Sequence, residues 1–215
     1  MRTAEYWGII GYEEALCRQK TLVRAVARGA ADVLVFCEHP LTVTMGRASR
    51  KESILFSRQD LLKRGFSLCS ADRGGDVTLH APGQMVAYPV INLKASGRDI
   101  RSYLKNLEQV AIDFLQGFGI VAKGSSQGAT DSEVPRGVWV GRKKIASIGI
   151  GVSQWVTFHG MALNVNNDLD AFRVIRPCGL DVRMTSVKEV LGRSLDMAAA
   201  QERFLESFSK VFGHA

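Results

Sequence analysis

Apolar residues recur three and four apart in three stretches of this 215-residue chain, and in continuous or alternating runs across most of the rest. From Asp99, "DIRSYLKNLEQVAIDFLQGFG" puts Ile100, Tyr103, Leu104, Leu107, Val110, Ala111, Phe114 and Leu115 on one helical face, with Asp99 as N-cap and glycines at the end. The tail from Asp196 repeats the pattern with Met197, Ala200, Phe204, Leu205, Phe208 and Phe212, and "SVKEVLG" predicts a short helix before it. "YEEALCRQKTLVRAVARGA", after a short apolar start, predicts an amphipathic helix carrying Leu16, Leu22, Val23 and Val26 and stopping at Gly29. A fourth, short and charged helix is expected around residues 58–64.

The remaining runs read as strands. "DVLVFCEHP", halted by Pro40, and "LTVTMG", closed by Gly46, predict two strands of a buried sheet. "FSLCS", "DVTLHAPGQ" and "MVAYPVINL" predict three more, and "VWV", "KKIASIGIGV" and "WVTFHGMALNV" a further set joined by tight turns. "KGSSQGATDSEVPRG" reads as a surface loop, and the chain through Pro177 and Gly179 as irregular. Strands clustered between a few helices, without strict alternation, predict an α+β fold, a mixed α/β sandwich, formed by residues 1–215 as a single domain. A doubly wound dinucleotide fold is disfavoured: residues 149–154 lack the third glycine of its fingerprint and lead into a strand. No Walker A sequence is present.

Composition narrows the class. The chain is 46% hydrophobic and 23% charged, as an ordinary globular protein is. No apolar run approaches the roughly 20 residues of a membrane span, and the N-terminal segment lacks a signal pattern, so a cytoplasmic location is expected. The four cysteines form no C-x-x-C pair, which argues against disulfides and a structural zinc. A net charge of +7 favours acidic partners, whether nucleic acid or acidic carrier proteins. The basic residues lack the aromatic interleaving of a stacking platform.

Four segments concentrate chemistry. In "RGGDVTLHAPGQ", Arg73 supplies a cation, Gly74 and Gly75 admit a close ligand, and Thr78 and His80 share one face of a strand; the plain alternative is a turn beside a buried histidine. In "GRKKIASIGIG", Lys143 and Lys144 point to opposite faces, so one can enter the sheet while the other stays solvated, or both can remain at an exposed strand start. "FHGMALNVNND" sets His159 beside Gly160 and Ala162, with an ordinary core histidine as the alternative. "VIRPCGL" presents Cys178 at a Pro-Cys-Gly corner, where a nearby ammonium would favour thiolate. Cys17, Cys37 and Cys69 read instead as small buried hydrophobes.

Together, "EHPLTVTMGR", "RGGDVTLHAPGQMVAYPVINL", "GVWVGRKKIASIGIGV", "TFHGMALNVNNDLDAFRVIRPCGL" and "TSVKEVLG" resemble, in order, the blocks of the lipoyl(octanoyl) transferase family of lipoate biosynthesis. The resemblance covers nearly everything after the first helix. One departure is Ala81, where the family usually has glycine or a bulkier residue. The resemblance implies the biotin/lipoate protein ligase-like fold, a mixed sheet flanked by helices, and a Cys-Lys dyad of Cys178 as acyl nucleophile and Lys144 as its partner. It implies that Arg73, Gly74, Gly75, Asp76, Val77, Thr78, Leu79 and His80, with Ser147, Ile148, Gly149, Gly160, Met161 and Ala162, line the acyl and thioester site, with His159 beside them. The expected donor is octanoyl-phosphopantetheine on acyl carrier protein, and the expected acceptors are lipoyl domains of 2-oxoacid dehydrogenases and the glycine-cleavage H protein. No ATP, metal, nucleic acid or membrane is expected to take part, and a monomer is expected. Backbone N–H groups around Gly74–Gly75 or at residues 178–179 are candidate oxyanion donors. An ATP-dependent ligase on the same fold, a basic binding module and, more remotely, a Cys-His-Asn hydrolase using His159 and Asn164 are the rivals.

Overall fold

The computed structural model describes residues 3–125, 136–176 and 182–213. Its centre is a seven-stranded sheet in the order β1-β2-β6-β10-β9-β8-β7, built from β1 (Thr3–Ile9), β2 (Val33–Glu38), β6 (Gln84–Val90), β7 (Lys123–Gly124), β8 (Gly137–Val140), β9 (Lys143–Ser153) and β10 (Val156–Asn164). β1 and β2 run parallel, and the other neighbours are antiparallel. A second sheet, β4-β3-β5, joins β3 (Thr42–Met45) to β4 (Ser67–Ser70) in parallel and to β5 (Val77–His80) in antiparallel fashion. The two runs flanking Pro40 were expected in one sheet. They lie in two, because the chain leaves the large sheet after Glu38 and starts the small one at Thr42.

The continuous apolar run of β2 follows from cover on both faces. Leu34 and Phe36 point into the largest core, with Leu107, Phe114, Phe204 and Phe208 from α3 (Ile100–Gln116) and α5 (Met197–Phe212). Val33, Val35 and Cys37 point the other way, beside Ala15 of α1 (Tyr12–Ala27). Each such fully buried aliphatic or phenyl side chain contributes about 1.5–3 kcal/mol. Asp99 caps α3 as expected, its carboxylate accepting the Ser102 N–H at 3.0 Å, and Asp196 does the same for α5. The two short helices are α2 (Arg58–Lys63) and α4 (Val187–Leu191). No helix among the described residues is long and apolar enough to cross a membrane.

The apolar start, left unassigned in the sequence, is a strand, β1, paired with β2. Two sequence expectations need correction. Cys17 is exposed on α1, while Cys37 and Cys69 are buried. Trp155 is not in β10: it and Gln154 form the β9–β10 turn, both with positive φ, the geometry that a two-residue hairpin loop demands. Most of the expected surface loop, residues 126–135, lies outside the described residues, as does the irregular segment 177–181.

Candidate active site

The two sheets meet over a cavity of about 250 Å³. The loop before β5 supplies Arg73, Gly74, Gly75 and Asp76, and β5 itself Val77, Thr78 and His80. β9 supplies Lys144, Ser147, Ile148 and Gly149, and β10 His159, Gly160, Met161 and Ala162. The register of β9 against β10 places Gly149 opposite Gly160, Ile148 opposite Met161 and Ser147 opposite Ala162, so one run of pairs forms a wall. The fit at Gly149 is close: a Cβ would come within 3.1 Å of both the Arg73 Cδ and the Gly74 carbonyl oxygen. Leu79 is the exception among the expected lining residues. It lies on the opposite face of β5 from Thr78 and His80, in the core with Val43 and Leu61.

The two adjacent lysines part company at the start of β9. Lys143 is exposed and forms a 2.5 Å ion pair with Glu189. Lys144 is 7% exposed and lines the cavity, its Nζ 5.6 Å from the centre of the Trp139 ring. The pairing with β8 slips here: Ala146 faces Val138, yet Lys144 faces Trp139, leaving Ile145 as an extra residue on β9. Such a bulge shifts the strand's alternation, so Lys144 joins Ser147 and Gly149 at the cavity despite an odd spacing. Gly137 makes room for it, since a Cβ there would sit 2.6 Å from the Lys144 Cε. The Lys144 backbone is held too: its N–H donates to the Arg183 carbonyl at 2.8 Å, and its carbonyl accepts the Thr185 N–H at 2.9 Å.

Cys178 lies outside the described residues. Of the described residues around it in sequence, Phe172 upstream and Val182 and Met184 downstream line the cavity. Upstream, the Arg176 N–H donates to the Ser53 carbonyl at 2.8 Å, and the Ser53 hydroxyl donates to the Asp76 carboxylate at 2.6 Å. Asp76 therefore ties the glycine loop, through Ser53, to Arg176, beside the isolated bridge between Ile54 and Ile175.

Arg73 is also committed. Its guanidinium donates to the Thr44 carbonyl and hydroxyl at 3.0 and 2.8 Å and to the Asp76 carbonyl at 2.8 Å, which makes it a clamp for the loop. The Gly74 N–H, an expected oxyanion donor, donates instead to the Ile150 carbonyl at 2.9 Å.

A box of rings closes the other end of the cavity. Tyr12 stacks on His80 and His159 at centroid distances of 5.7 and 6.2 Å, and His39 packs edge-on to His80 at 5.2 Å, with Tyr88 behind. Burial lowers the pKa of all three histidines: His80 well below the usual value, with His39 adding to the effect, and His159 to about 3, with Arg73 adding. Burial raises Tyr12 to about 12 and lifts Tyr88 well above its usual value. The box is thus neutral near pH 7, and its hydrogen bonds fix the tautomers. His39 Nδ1 donates to the Ile10 carbonyl at 2.7 Å and its Nε2 accepts from the Tyr88 hydroxyl at 2.8 Å. His80 Nδ1 donates to Gln84 Oε1 at 2.9 Å.

From Gln84 a polar chain runs to the lysine. Gln84 Nε2 donates to Asn164 Oδ1 at 3.0 Å, Asn164 Nδ2 donates to the Thr185 carbonyl at 3.0 Å, and Thr185 is the residue bonded to Lys144. Asn164 is structural here, engaged in this chain. His159 is held differently. Its φ of 56° is unusual for a residue within a strand, its N–H donates to Gln19 Oε1 of α1 at 2.7 Å, and its buried Nε2 has no protein partner.

Tyr12, His39 and Tyr88 were missed by the sequence reading. A tyrosine inside an aliphatic strand, as Tyr88 is in "MVAYPV", is the one local sign that a polar tip has a buried partner.

A family model described as the lipoyl protein ligase A/B catalytic domain matches residues 11–209. The octanoyltransferase of Desulfovibrio desulfuricans is 45% identical over 207 residues, 95% of this chain and 84% of that one, and the octanoyltransferase of Caldicellulosiruptor saccharolyticus is 40% identical over 211 residues, 97% and 87% of the two chains. In structure the chain is similar to lipoate-protein ligase A bound with ATP, with a TM-score of 0.83 at 18% identity, covering 98% of this chain and 85% of the other; that likeness is one of fold. The fold is the expected α+β architecture of the lipoate ligases, and the chain belongs to the lipoyl protein ligase A/B catalytic domain family, where its sequence stands with the octanoyltransferases.

Proposed function

We propose that this enzyme moves an octanoyl group from a carrier thioester to a lysine amine on a lipoyl domain, through an acyl-thioester on Cys178. In the first half-reaction the Cys178 sulfur attacks the thioester carbonyl, the donor's C–S bond breaks, and the donor leaves as a thiol. In the second the acceptor amine attacks the new thioester, an amide forms and the Cys178 thiol is restored. The amide is the more stable product, so neither ATP nor a metal is called for. Lys144 holds the thiolate by its charge and passes protons among the leaving thiol, the cysteine and the incoming amine. A donor on acyl carrier protein and acceptors among the lipoyl domains of 2-oxoacid dehydrogenases and the glycine-cleavage H protein fit the names of the relatives.

The observation that carries this reading is the placement of Lys144. A lysine bears its ammonium into an otherwise largely apolar cavity, its main chain bonded to residues 183 and 185, while Phe172 and Val182 bring the cysteine's neighbours to the same wall.

The test is intact-protein mass after mixing with octanoyl-acyl carrier protein, without ATP or acceptor. One octanoyl increment, labile to hydroxylamine and absent from Cys178→Ala, is the expected result. No adduct from an intact donor, with transfer appearing only on addition of ATP and free octanoate, would establish the ligase chemistry of the fold's ATP-bound relative instead.

A further inference from the structure

Beside the acyl cavity, and sharing Phe172, Val182 and Met184 with it, runs an open groove of about 570 Å³. Its lining mixes apolar side chains, among them Leu55, Leu169 and Ile175, with four cations, Lys143, Arg173, Arg176 and Arg183. Two of these are engaged. Lys143 pairs with Glu189 at 2.5 Å and Arg173 with Asp170 at 2.9 Å. Arg176 and Arg183 are exposed and have no carboxylate partner among the described residues. Their main chains are anchored, Arg176 to Ser53 and Arg183 to Lys144. Arg176 and Arg183 thus flank residues 177–181 in sequence, and their anchored main chains put both side chains in the lining of the groove beside the cavity.

We infer that Arg176 and Arg183 form a phosphate site, which seats the phosphodiester of a pantetheine-borne donor while the uncharged arm crosses the groove towards the acyl cavity. The inference rests on the octanoyl-transfer reading above. The match is chemical: the donor arm is neutral along its length and anionic at one end, and the groove's lining offers both apolar side chains and cations. Guanidinium is the cation best shaped for phosphate oxygens, because its planar N–H groups bond two of them at once.

The experiment compares octanoyl-pantetheine, octanoyl-phosphopantetheine and octanoyl-acyl carrier protein as donors to a lipoyl domain, for the wild-type enzyme and Arg176→Gln/Arg183→Gln. In the wild type, kcat/KM for the phosphorylated free donor should exceed that for the dephosphorylated one by about tenfold or more, an amount typical of charge-assisted hydrogen bonds. In the double variant the ratio should fall to near one, and Arg176→Lys/Arg183→Lys should recover part of it. A wild type indifferent to the phosphate, or a variant that loses both free donors equally, overturns the site. Loss with the carrier protein alone, the free phosphorylated donor being handled normally, overturns it in favour of contact with the carrier's surface. If the wild type uses none of the three donors, the transferase reading itself fails.

Discussion

The two ends of the cavity handle buried polarity in opposite ways. At one end Tyr12, Tyr88 and three histidines crowd together, and burial has made every one of them neutral. At the other a single lysine is turned inward by a one-residue bulge, while its neighbour stays in solvent with Glu189. On the proposed mechanism the richer cluster of titratable groups is the less reactive one. Desolvation favours the neutral form, so the histidines and tyrosines make a neutral wall, whereas the role proposed for Lys144 needs its charge beside a thiolate.

Removing the lysine end tests this most severely. Lys144→Ala should lower kcat/KM for octanoyl transfer by about 10²–10⁴-fold, the usual worth of a positioned acid or base, with little change in the unfolding midpoint. A loss no larger than that of Lys143→Ala, measured side by side, would erase the difference between the two ends.

Cutting the chain that joins the ends comes next. Asn164→Leu takes the donor from the Thr185 carbonyl and the acceptor from one Gln84 Nε2 hydrogen and from Asn167 Nδ2, while Gln84 keeps its bond to the Leu79 carbonyl. Each such orphan costs about 1–3 kcal/mol, so urea unfolding should shift accordingly, and activity should fall because Thr185 also holds Lys144.

The neutral end should show itself in acid. A histidine whose pKa is lowered by folding binds fewer protons folded than unfolded, so its contribution to stability is whole above its unfolded value and declines as pH falls below it. For His159 the window runs from 6.5 down to about 3. Urea midpoints should therefore drop between pH 7.5 and pH 5. His159→Asn, which tolerates positive φ and does not titrate, should flatten part of that slope. An unchanged slope would mean that the other histidines account for it.

The smallest effect belongs to Lys143→Ala. An exposed ion pair is worth about 0–1 kcal/mol, so stability should barely move and transfer should remain within a few-fold of wild type.

Much of this was legible along the chain, for identifiable reasons. α3 and α5 announce themselves because capped amphipathic helices are local objects, and Asp99 and Asp196 do what aspartate does at any N-cap. The loop at residues 73–80 stood out for Arg-Gly-Gly before an alternating strand, but a plain turn explained it as well, and only the family resemblance singled it out. What stayed hidden depends on neighbours distant in sequence. β1 is a strand because β2 is beside it. β2 and β3 read alike but belong to different sheets. Leu79 went to the core because β5 has a second face covered by Leu61 and Phe66. The choice between Lys143 and Lys144 turned on Ile145 lacking an opposite number on β8, a property of the pair of strands and of neither alone. The family resemblance picked the same lysine by its position in a motif.

Gln19 carries a consequence for how α1 can change. Its side-chain oxygen serves as the acceptor for the His159 main-chain N–H, reaching from the helix to a strand residue 140 positions away in sequence. A residue inserted upstream in the helix would swing that amide by about 100° about the axis, whereas four added residues would bring it nearly back into phase. The helix is therefore keyed in rotation to the strand below it, and changes in its length should be tolerated by turns, not by single residues.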